Sequence, residues 1–442
     1  MCAPLKILIS LFLLGFSSLY VSGERGLIVN EPEAFQGYTL YTPLRSTETI
    51  LLNMKGEVVH KWVSKHWPSN SAYLLTNGNL LRCAKVKGNK VFGDRGPSGG
   101  RVELFDWNGN QLWDFVYSND DHHQHHDIEP LPNGNVLILA WEQVSKEDAI
   151  AAGRNTAGVG DAGIFPDTVV EVKRTGRTTG EVIWRWSSWD HLVQDIDSSK
   201  ANYGTVADHP ELLDVNLNGR PRTDWMHTNS IDYNPVLDQI VLCPRSFNEL
   251  IVIDHSTTTE EARGHKGGRA GKGGDILYRW GNPINYGAGT QADQQLFLQH
   301  DPRWVQPGQP GAGNITIFNN QKGQSKGDYS SIDEIKPPVQ RSGAYQIRKG
   351  KAYQPSAPQW TYIADPPTNF YSSFISGAER LPNGNTLICS GADGIFFEVT
   401  PEGKTVWEYH NPITLPPVGP EGPNSTFRVV RYRLGYPGVK LK

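Results

Sequence analysis

The stretch Glu103-Leu-Phe-Asp-Trp-Asn-Gly-Asn-Gln-Leu-Trp-Asp-Phe115 contains the pattern that decides the fold. Its last three residues, Trp113–Phe115, place two aromatic rings on one face of a strand, because side chains of a strand alternate between its faces. Asn108–Asn110 supplies a glycine turn that joins this strand to the apolar strand before it as a hairpin. The pattern occurs six times, at His60–Trp62, Trp113–Phe115, Trp184–Trp186, Tyr278–Trp280, Trp360–Tyr362 and Trp407–Tyr409.

Asn-Gly turns mark a second hairpin in several repeats. Thr76–Asn79, Pro132–Asn135 and Pro382–Asn385 each contain Asn-Gly and precede an apolar strand. Asn-Gly suits the positive φ angles of a type I′ turn. Two hairpins make a four-stranded antiparallel blade, so the six repeats predict an all-β chain folded as a six-bladed β-propeller. A pair of packed β-sandwiches is the alternative fold.

The repeats are widely spaced, at about 70 residues each against about 40 in many propellers. Long insertions between strands must therefore leave the blades, and such segments are typical of surface or lid loops. The predicted insertions are Ser145–Pro166, Trp189–Thr223, His255–Gly273 and Asn320–Tyr345. Either the strand Tyr38–Tyr41 or the tail Phe427–Leu434 is expected to complete the last blade and close the ring.

The first residues, Met1–Gly23, have the pattern of a secretory signal. Lys6 provides the positive charge, Ile7–Leu14 the apolar run and Val21–Gly23 the small-residue cleavage site. The sequence therefore predicts a secreted or periplasmic protein in which residues 24–442 form a single propeller domain, with an uncleaved anchor as the alternative. No later stretch approaches the roughly 18 apolar residues of a membrane span.

Composition restricts the class of partner. The 442 residues include 42 Lys and Arg against 46 Asp and Glu, a net charge of −4, whereas nucleic-acid binding requires a basic excess. We therefore expect no nucleic-acid partner. Cys83, Cys243 and Cys389 lie in equivalent strands of different repeats, so we predict buried free thiols rather than a disulfide framework.

One repeat position carries a polar residue in five repeats. It lies eight residues before the turn of the second hairpin and holds Asn70, His126, His227, His300 and Ser376. Equivalent positions of a propeller lie on a circle around its axis, so we expect these side chains to converge on a central pocket.

Three imidazoles around one pocket are suited to acid, base or nucleophilic chemistry near pH 7. Imidazoles are also common metal ligands, so a three-histidine zinc or copper site is the first alternative. The run Asp121–Asp127 adds further donors of the kind that hold a surface metal. A third interpretation gives each histidine only a structural hydrogen bond.

Arg245 interrupts the alternating pattern of the strand that follows the His227 hairpin. Its planar guanidinium is suited to an oxyanion such as sulfate, phosphate or carboxylate. An ion pair with Glu249 or a charge on the cavity rim is the structural alternative. The glycine-rich stretch Gly267–Gly274 lacks the Ser or Thr and the helix of a nucleotide-binding loop, and we predict a flexible surface loop there.

At these residues the sequence resembles the bacterial arylsulfotransferases, which move sulfuryl groups between phenols without the nucleotide donor PAPS. The resemblance extends over most of the chain, from Gly37–Leu40 to Trp407–Tyr409. Its most specific stretches are His125–Asn135, Asp224–Ile231 with Arg245, and Gln299–Asp301.

The resemblance implies a ping-pong reaction through a transient sulfohistidine. Carried over by position, His300 matches the nucleophile, His126 and His227 the assisting histidines, and Arg245 the sulfate-binding residue. His125 is the alternative to His126 as the first assisting histidine.

The remaining expectations concern what the site binds. Arg245, Asn70 and Ser376 are predicted to bind substrate, and the resemblance implies a phenolic sulfate donor and a phenolic acceptor, with no cofactor and no metal. A secreted propeller that binds an anion without transferring it and a three-histidine metal-dependent hydrolase are the alternative functions.

Overall fold

Six antiparallel blades are arranged around a central axis, which confirms the predicted all-β propeller. The computed structural model describes residues 24–94, 96–323, 327–414 and 422–441. The predicted signal, Met1–Gly23, lies outside the described residues. The α-helices in the described ranges have six and four residues, which is too short for a membrane span.

The strands of each blade follow one another from the axis outward. In this order, blade 1 contains Thr426–Arg433, Gly37–Pro43, Glu48–Leu52 and Val58–Val63. Blade 2 contains Pro68–Leu74, Leu80–Lys85, Gly100–Phe105 and Gln111–Val116. Blade 3 contains His122–Pro130, Val136–Glu142, Asp167–Arg174 and Gly180–Ser187.

The second half of the ring follows the same order. Blade 4 contains Thr228–Asn234, Gln239–Pro244, Leu250–Asp254 and Tyr278–Trp280. Blade 5 contains His300–Trp304, Ile315–Asn319, Ser331–Ile335 and Trp360–Tyr362. Blade 6 contains Gly377–Arg380, Thr386–Ser390, Ile395–Val399, Thr405–His410 and, outermost, Gly26–Asn30.

Short helices and one small sheet lie between the blade strands. The α-helices are Lys146–Ala151 and Thr259–Ala262. The 3₁₀ turns are Thr156–Gly158, Ser188–Asp190, Val206–Asp208, Arg245–Phe247, Pro283–Tyr286, Gln291–Asp293 and Pro367–Asn369. Leu192–Val193 pairs in parallel with Leu213–Asp214.

The ring is closed by the tail of the chain. Thr426–Arg433 forms the innermost strand of blade 1 and pairs antiparallel with Gly37–Pro43. The two predicted closing segments therefore lie side by side in the first blade, and neither completes the last one. Blade 6 instead gains Gly26–Asn30 on its outer edge, so segments near both ends of the described chain are held in the ring.

The six aromatic strands are the fourth strands of the blades, and their rings pack between neighbouring blades. The Trp113 indole of blade 2 donates to the Thr179 carbonyl of blade 3 over 3.1 Å, and the Trp407 indole of blade 6 donates to the Met54 carbonyl of blade 1 over 3.1 Å. Each acceptor lies in a turn between third and fourth strands. The aromatic repeat therefore joins one blade to the next.

One predicted insertion contains a blade strand. The prediction that Asn320–Tyr345 leaves the blades is wrong for Ser331–Ile335, which is the fully buried third strand of blade 5. The sequence did not reveal this strand because its five residues include two acidic side chains and show little hydrophobic periodicity. Burial of one of these acids, Asp333, is possible because Asn319 Nδ2 donates a hydrogen bond to its Oδ2 at 2.9 Å.

The three cysteines are buried and free, as predicted. Each lies in the second strand of its blade and contacts a backbone carbonyl at the innermost strand of the following blade. Cys83 Sγ, for example, is 3.6 Å from the His126 carbonyl. Burial raises the pKa of all three thiols, which is consistent with a packing role.

A buried imidazole links blades 3 and 4. His255 contacts Asp238 through Nδ1 at 2.8 Å and Glu171 through Nε2 at 3.0 Å. Burial alone would lower the pKa of this imidazole, but hydrogen bonds to Asp238 and Glu171 raise it to about 9. His255 is therefore protonated near pH 7 and stabilises this blade interface as a cation.

Candidate active site

A cavity of about 1300 Å³ lies at the axis, over the beginnings of the inner strands. It is lined by His126, His227, Arg245, His300 and Asn70, together with other residues. These five residues come from blades 2 to 5 and are far apart in sequence. The inner-strand register therefore brings them to one place, as the repeat position predicts.

Ser376 is the exception among the predicted site residues. It does not line the cavity, and its neighbour Ile375 does. The Ser376 hydroxyl donates to Ser372 Oγ at 2.8 Å and accepts the Gly391 amide at 2.9 Å. Both Ile375 and Ser376 have positive φ angles, 49° and 92°, and this turn directs the apolar side chain inward.

The His300 ring is held by an asparagine that sequence reasoning missed. His300 Nδ1 is 2.6 Å from Asn320 Oδ1, and the Asn320 amide nitrogen donates to the carbonyls of Ser372 and Ile375 at 2.8 and 2.9 Å. Because those carbonyls only accept, Asn320 must present its oxygen to His300. His300 Nδ1 therefore carries the proton, and the lone pair of the neutral ring is on Nε2.

His227 is paired with Asp224, three residues before it. The His227 Nδ1–H donates to Asp224 Oδ2, and the Trp141 indole donates to Asp224 Oδ1 at 3.1 Å. Burial opposes ionisation of Asp224, but the charge and hydrogen bond of His227 hold the pKa of this carboxyl below its usual value. The other ring nitrogen of His227, Nε2, is available to a molecule bound in the cavity.

His126 faces the cavity, whereas His125 lies behind it. The two Nδ1 atoms are 2.8 Å apart, so one ring donates to the other. His125 Nε2 lies 3.1 Å from Asp167 Oδ1 in the buried interior. The geometry thus places His126 among the cavity imidazoles and makes His125 its support, in agreement with the repeat register. The rings of His126 and His227 meet edge to face, with centroids 4.8 Å apart.

Two of the imidazoles are held neutral. Burial, together with the neighbouring imidazoles and Arg245, keeps the pKa of His126 well below its usual value. Burial and the charge of Arg245 do the same to the pKa of His300. A neutral His300 near pH 7 is the form that carries a nucleophilic lone pair.

Arg245 has no carboxylate partner among the described residues. The alternative of an ion pair with Glu249 is wrong, because Glu249 is bound in a bidentate pair by Arg279, at 2.6 and 2.9 Å. Burial, and the charge of Arg222, lower the pKa of Arg245, but an arginine remains cationic in proteins. Its guanidinium is therefore an unpaired cation at the cavity wall, beside two neutral imidazoles.

An ionic contact lies beneath the histidines. Arg428 Nη2 is 2.8 Å from Asp127 Oδ2 and 2.6 Å from Asp301 Oδ1. These aspartates directly follow His126 and His300, so one arginine from the closing strand fixes both histidine segments. The shared His-Asp dipeptide is a sequence signal of this contact. The cation lies in the tail, 301 residues from Asp127, and no sequence pattern marks it.

The cavity mouth is basic and aromatic. Its lining includes Lys65, Lys85, Lys87, Arg45 and Arg101, with Asp94 as the one acidic residue among the described lining positions. Trp67, 43% exposed, is flanked by Arg45 and Lys87, each 5.9 Å from its ring centroid. Cations around a concave site raise the local concentration of anions, and the ring provides a surface for an aromatic group.

The cavity imidazoles are not arranged as a metal-ligand group. One cluster of three or more His, Cys, Asp or Glu residues in the described ranges has its donor atoms within 4.8 Å of one another, and it is His191, His265 and Asp275. The site histidines and the run Asp121–Asp127 do not form such a cluster there.

The model of the Arylsulfotransferase (ASST) family matches residues 46–412 of the chain, which includes every cavity residue named above except Arg45. This protein belongs to the arylsulfotransferase family. The family match supports aryl sulfotransferase activity in general and small-molecule substrates. No curated relative matches this arylsulfotransferase.

Solved structures with a similar chain path are distant in sequence. A Bacteroides caccae protein of unknown function is 13% identical, with a TM-score of 0.46 over 90% of this chain and all of its own. A virginiamycin B lyase from Staphylococcus aureus is 10% identical, with a TM-score of 0.39 over 88% of this chain and 85% of its own. At these values the likenesses support no statement about the reaction.

Proposed function

We propose that this family member transfers a sulfuryl group from a phenolic sulfate ester to a phenolic acceptor through a sulfohistidine on His300. The observation that supports this most is the bond between His300 and Asn320, which leaves a lone pair on Nε2 of a neutral, buried ring that lines the cavity. Arg245 and two further imidazoles line the same cavity.

In the first half-reaction, His300 Nε2 attacks the ester sulfur and the bond between sulfur and the aryl oxygen breaks. The aryl oxygen leaves with the electron pair as a phenolate, which takes a proton from a cavity imidazole when it is basic enough to need one. Arg245 binds the sulfuryl oxygens, where charge is rearranged in the transition state. The enzyme is left sulfated on nitrogen.

In the second half-reaction, the acceptor phenol loses its proton and attacks the same sulfur, and the S–N bond breaks to restore His300. His227 is suited to take that proton, because Asp224 accepts from its Nδ1 and stabilises the imidazolium that forms. One covalent intermediate shared by two half-reactions predicts ping-pong kinetics.

The mouth of the cavity matches an anionic aromatic donor. Lys and Arg side chains around it, among them Arg45 and Lys87 beside Trp67, attract the sulfate, and Trp67 offers a partly exposed ring to the aryl group. Asn70, which also lines the cavity, supplies an amide that can bond a sulfate oxygen. Ser376 is turned away from the cavity, so we assign it no direct contact with substrate.

We also propose that the protein is exported. The support is the charged and apolar pattern of Met1–Gly23. Fractionation of producing cells and N-terminal sequencing of the protein test this. A mature chain that begins at Glu24 outside the cytoplasm supports export, and an intact Met1 in the cytoplasmic fraction contradicts it.

The test of the transfer reaction uses 4-nitrophenyl sulfate with and without phenol. We expect continuous nitrophenolate release only with phenol, and one stoichiometric burst without it. Rapid quenching of the burst, followed by digestion and mass spectrometry under alkaline conditions, should find one added SO₃ on the peptide that contains His300.

The control separates chemistry from folding. His300→Ala should abolish both burst and turnover, whereas His410→Ala should retain them, because His410 contacts Glu408 in the outer part of blade 6. Continuous release without acceptor would show a hydrolase, and no release with any aryl sulfate would support an anion-binding propeller. An active His300→Ala variant would exclude His300 as nucleophile.

A further inference from the structure

A second histidine cluster lies at the outer side of blades 3 and 4, and none of its residues lines the cavity. His191 Nδ1 is 2.9 Å and His265 Nδ1 is 2.7 Å from the same atom, Asp275 Oδ1. His191 lies in the long insertion after blade 3, and His265 lies in the insertion within blade 4. Asp275 follows shortly before the fourth strand of blade 4, Tyr278–Trp280. No Lys or Arg among the described residues forms an ion pair with Asp275.

When the His191 ring is neutral, its hydrogen bonding leaves a lone pair pointed at an anion. Its Nε2 lies 2.9 Å from the Ala262 carbonyl, and a carbonyl only accepts, so the proton of the neutral ring is on Nε2. The Nδ1 lone pair then faces the carboxylate oxygen of Asp275 at 2.9 Å. A proton on Nδ1 or a metal ion between the two atoms makes this contact attractive, and a metal ion can bind His265 Nδ1 as well.

The Ala262 contact is itself of the kind that supports a metal ligand. A metal-bound histidine usually donates its other N–H to a carbonyl or carboxylate, which fixes the ring. The close approach here depends on Gly274, because a Cβ at that position would lie 2.0 Å from the Ala262 oxygen and 2.6 Å from His191 Nε2. The His191 ring also stacks on Trp186, with centroids 5.9 Å apart and planes 7° from parallel.

We propose that His191 Nδ1, His265 Nδ1 and Asp275 form a binding site for a divalent transition-metal ion of the zinc type. Two imidazoles and one carboxylate are a common ligand set for Zn²⁺, with solvent as the fourth ligand. His265 is on the open side, with its side chain 61% exposed, so an ion has a path of entry.

The distances are compatible with this ion after a small adjustment. Tetrahedral coordination at about 2.0–2.2 Å places donor atoms roughly 3.3 Å apart, against the 2.7 and 2.9 Å between the nitrogens and Asp275 Oδ1. The two contacts must lengthen by about half an ångström. The exposed His265 side chain can shift to lengthen the first, whereas the second, to the buried His191, lengthens by rotation of the Asp275 carboxylate. The bound ion would link the two insertions at the blade 3–blade 4 boundary.

The glycine-rich stretch identified in the sequence has a role in this arrangement. The backbone of Gly267–Gly274, a predicted flexible loop, bonds to itself and to the preceding segment, as in Gly273 N–H to Gly267 O and Gly274 N–H to Gly264 O, each 3.0 Å. This folded loop follows His265 closely and leads to Asp275. The loop therefore determines the positions of His265 and Asp275 relative to each other.

The test uses the full chain without a histidine tag, treated with a chelator and then dialysed against ZnCl₂. Elemental analysis should give one zinc per chain, and titration with Co²⁺ should give the visible absorption of tetrahedral cobalt. Zinc should also raise the midpoint of thermal unfolding. His265→Ala and Asp275→Asn should each weaken binding by about a hundredfold or more, with no loss of the circular dichroism of the fold.

The matched control is His209→Ala, because His209 is a partly exposed imidazole that contacts one carboxylate, Glu211, at 3.1 Å. It should bind zinc as the unmodified protein does. Zinc binding that survives His265→Ala would place the ion elsewhere, for instance on Asp121–Asp127, and would overturn the assignment. Absence of stoichiometric zinc or cobalt binding at micromolar concentrations would overturn it as well.

Discussion

Replacement of Asn320 by alanine tests how the proposed nucleophile is prepared. The substitution removes the acceptor of the 2.6 Å hydrogen bond from His300 Nδ1. The Nδ1–H is then buried without a partner, or the proton moves to Nε2 and occupies the attacking lone pair. Either outcome costs about 1–3 kcal/mol, so the rate of sulfation of His300 should fall by about fivefold to 150-fold.

The assay is the burst of nitrophenolate from 4-nitrophenyl sulfate without acceptor, followed by stopped flow. The burst rate constant reports attack by His300, whereas its dependence on donor concentration reports binding. Because Arg245 and the basic mouth are unchanged, we expect the donor concentration for half-maximal burst rate to change little. A loss confined to the rate constant indicates a positioning role.

Asn319→Ala is the matched control, since Asn319 is the preceding residue, is equally buried and also makes two donor bonds, to Gln295 O and Asp333 Oδ2. It should retain the burst. Asn320→Asp restores an acceptor but adds negative charge beside His300, so the burst should appear at higher pH than in the unmodified protein. An Asn320→Ala burst within twofold of normal, or an equal loss in Asn319→Ala, would refute the tautomer argument.

Three further outcomes are expected. Arg245→Ala should lower kcat/KM for aryl sulfates by on the order of a hundredfold or more, because an unpaired oxyanion donor is lost; steady-state kinetics within tenfold of normal would contradict this. Asp224→Asn should slow the acceptor half-reaction by about a hundredfold while leaving the nitrophenolate burst intact, because His227 loses the carboxylate that stabilises its protonated form; an equal loss in both halves would contradict that assignment. His255→Gln should destabilise the fold most at low pH, by at most about 3 kcal/mol. The pKa of His255 in the folded protein, about 9, lies above its ordinary value, so the stabilisation is fully present below about pH 6.5 and is lost as pH rises through 9. Urea unfolding of both proteins between pH 6 and 9.5 measures the difference in their free energies of unfolding, and a difference that stays constant over this range would contradict the prediction.

Local periodicity in the sequence determined the fold and the cavity position. Two rings at period two mark the fourth strand of each blade, and glycine turns before most of these strands mark the hairpins. The count back from the turn of the second hairpin placed His126, His227 and His300 at equivalent positions of the inner strands. The sequence reveals these features because each depends on residues that are close together in the chain and recurs in several repeats.

Only the tertiary structure decided how those side chains are oriented and supported. Asn320 lies in a segment that the sequence assigned to an insertion, yet it fixes the His300 tautomer through contacts with backbone more than 50 residues away. Ser376 shares the repeat position but is turned outward by two positive φ angles. Arg279 takes Glu249 and so leaves Arg245 unpaired. Repeat spacing specifies where a residue stands along its strand, whereas hydrogen-bond partners and charge pairing depend on atoms that meet only when the ring closes.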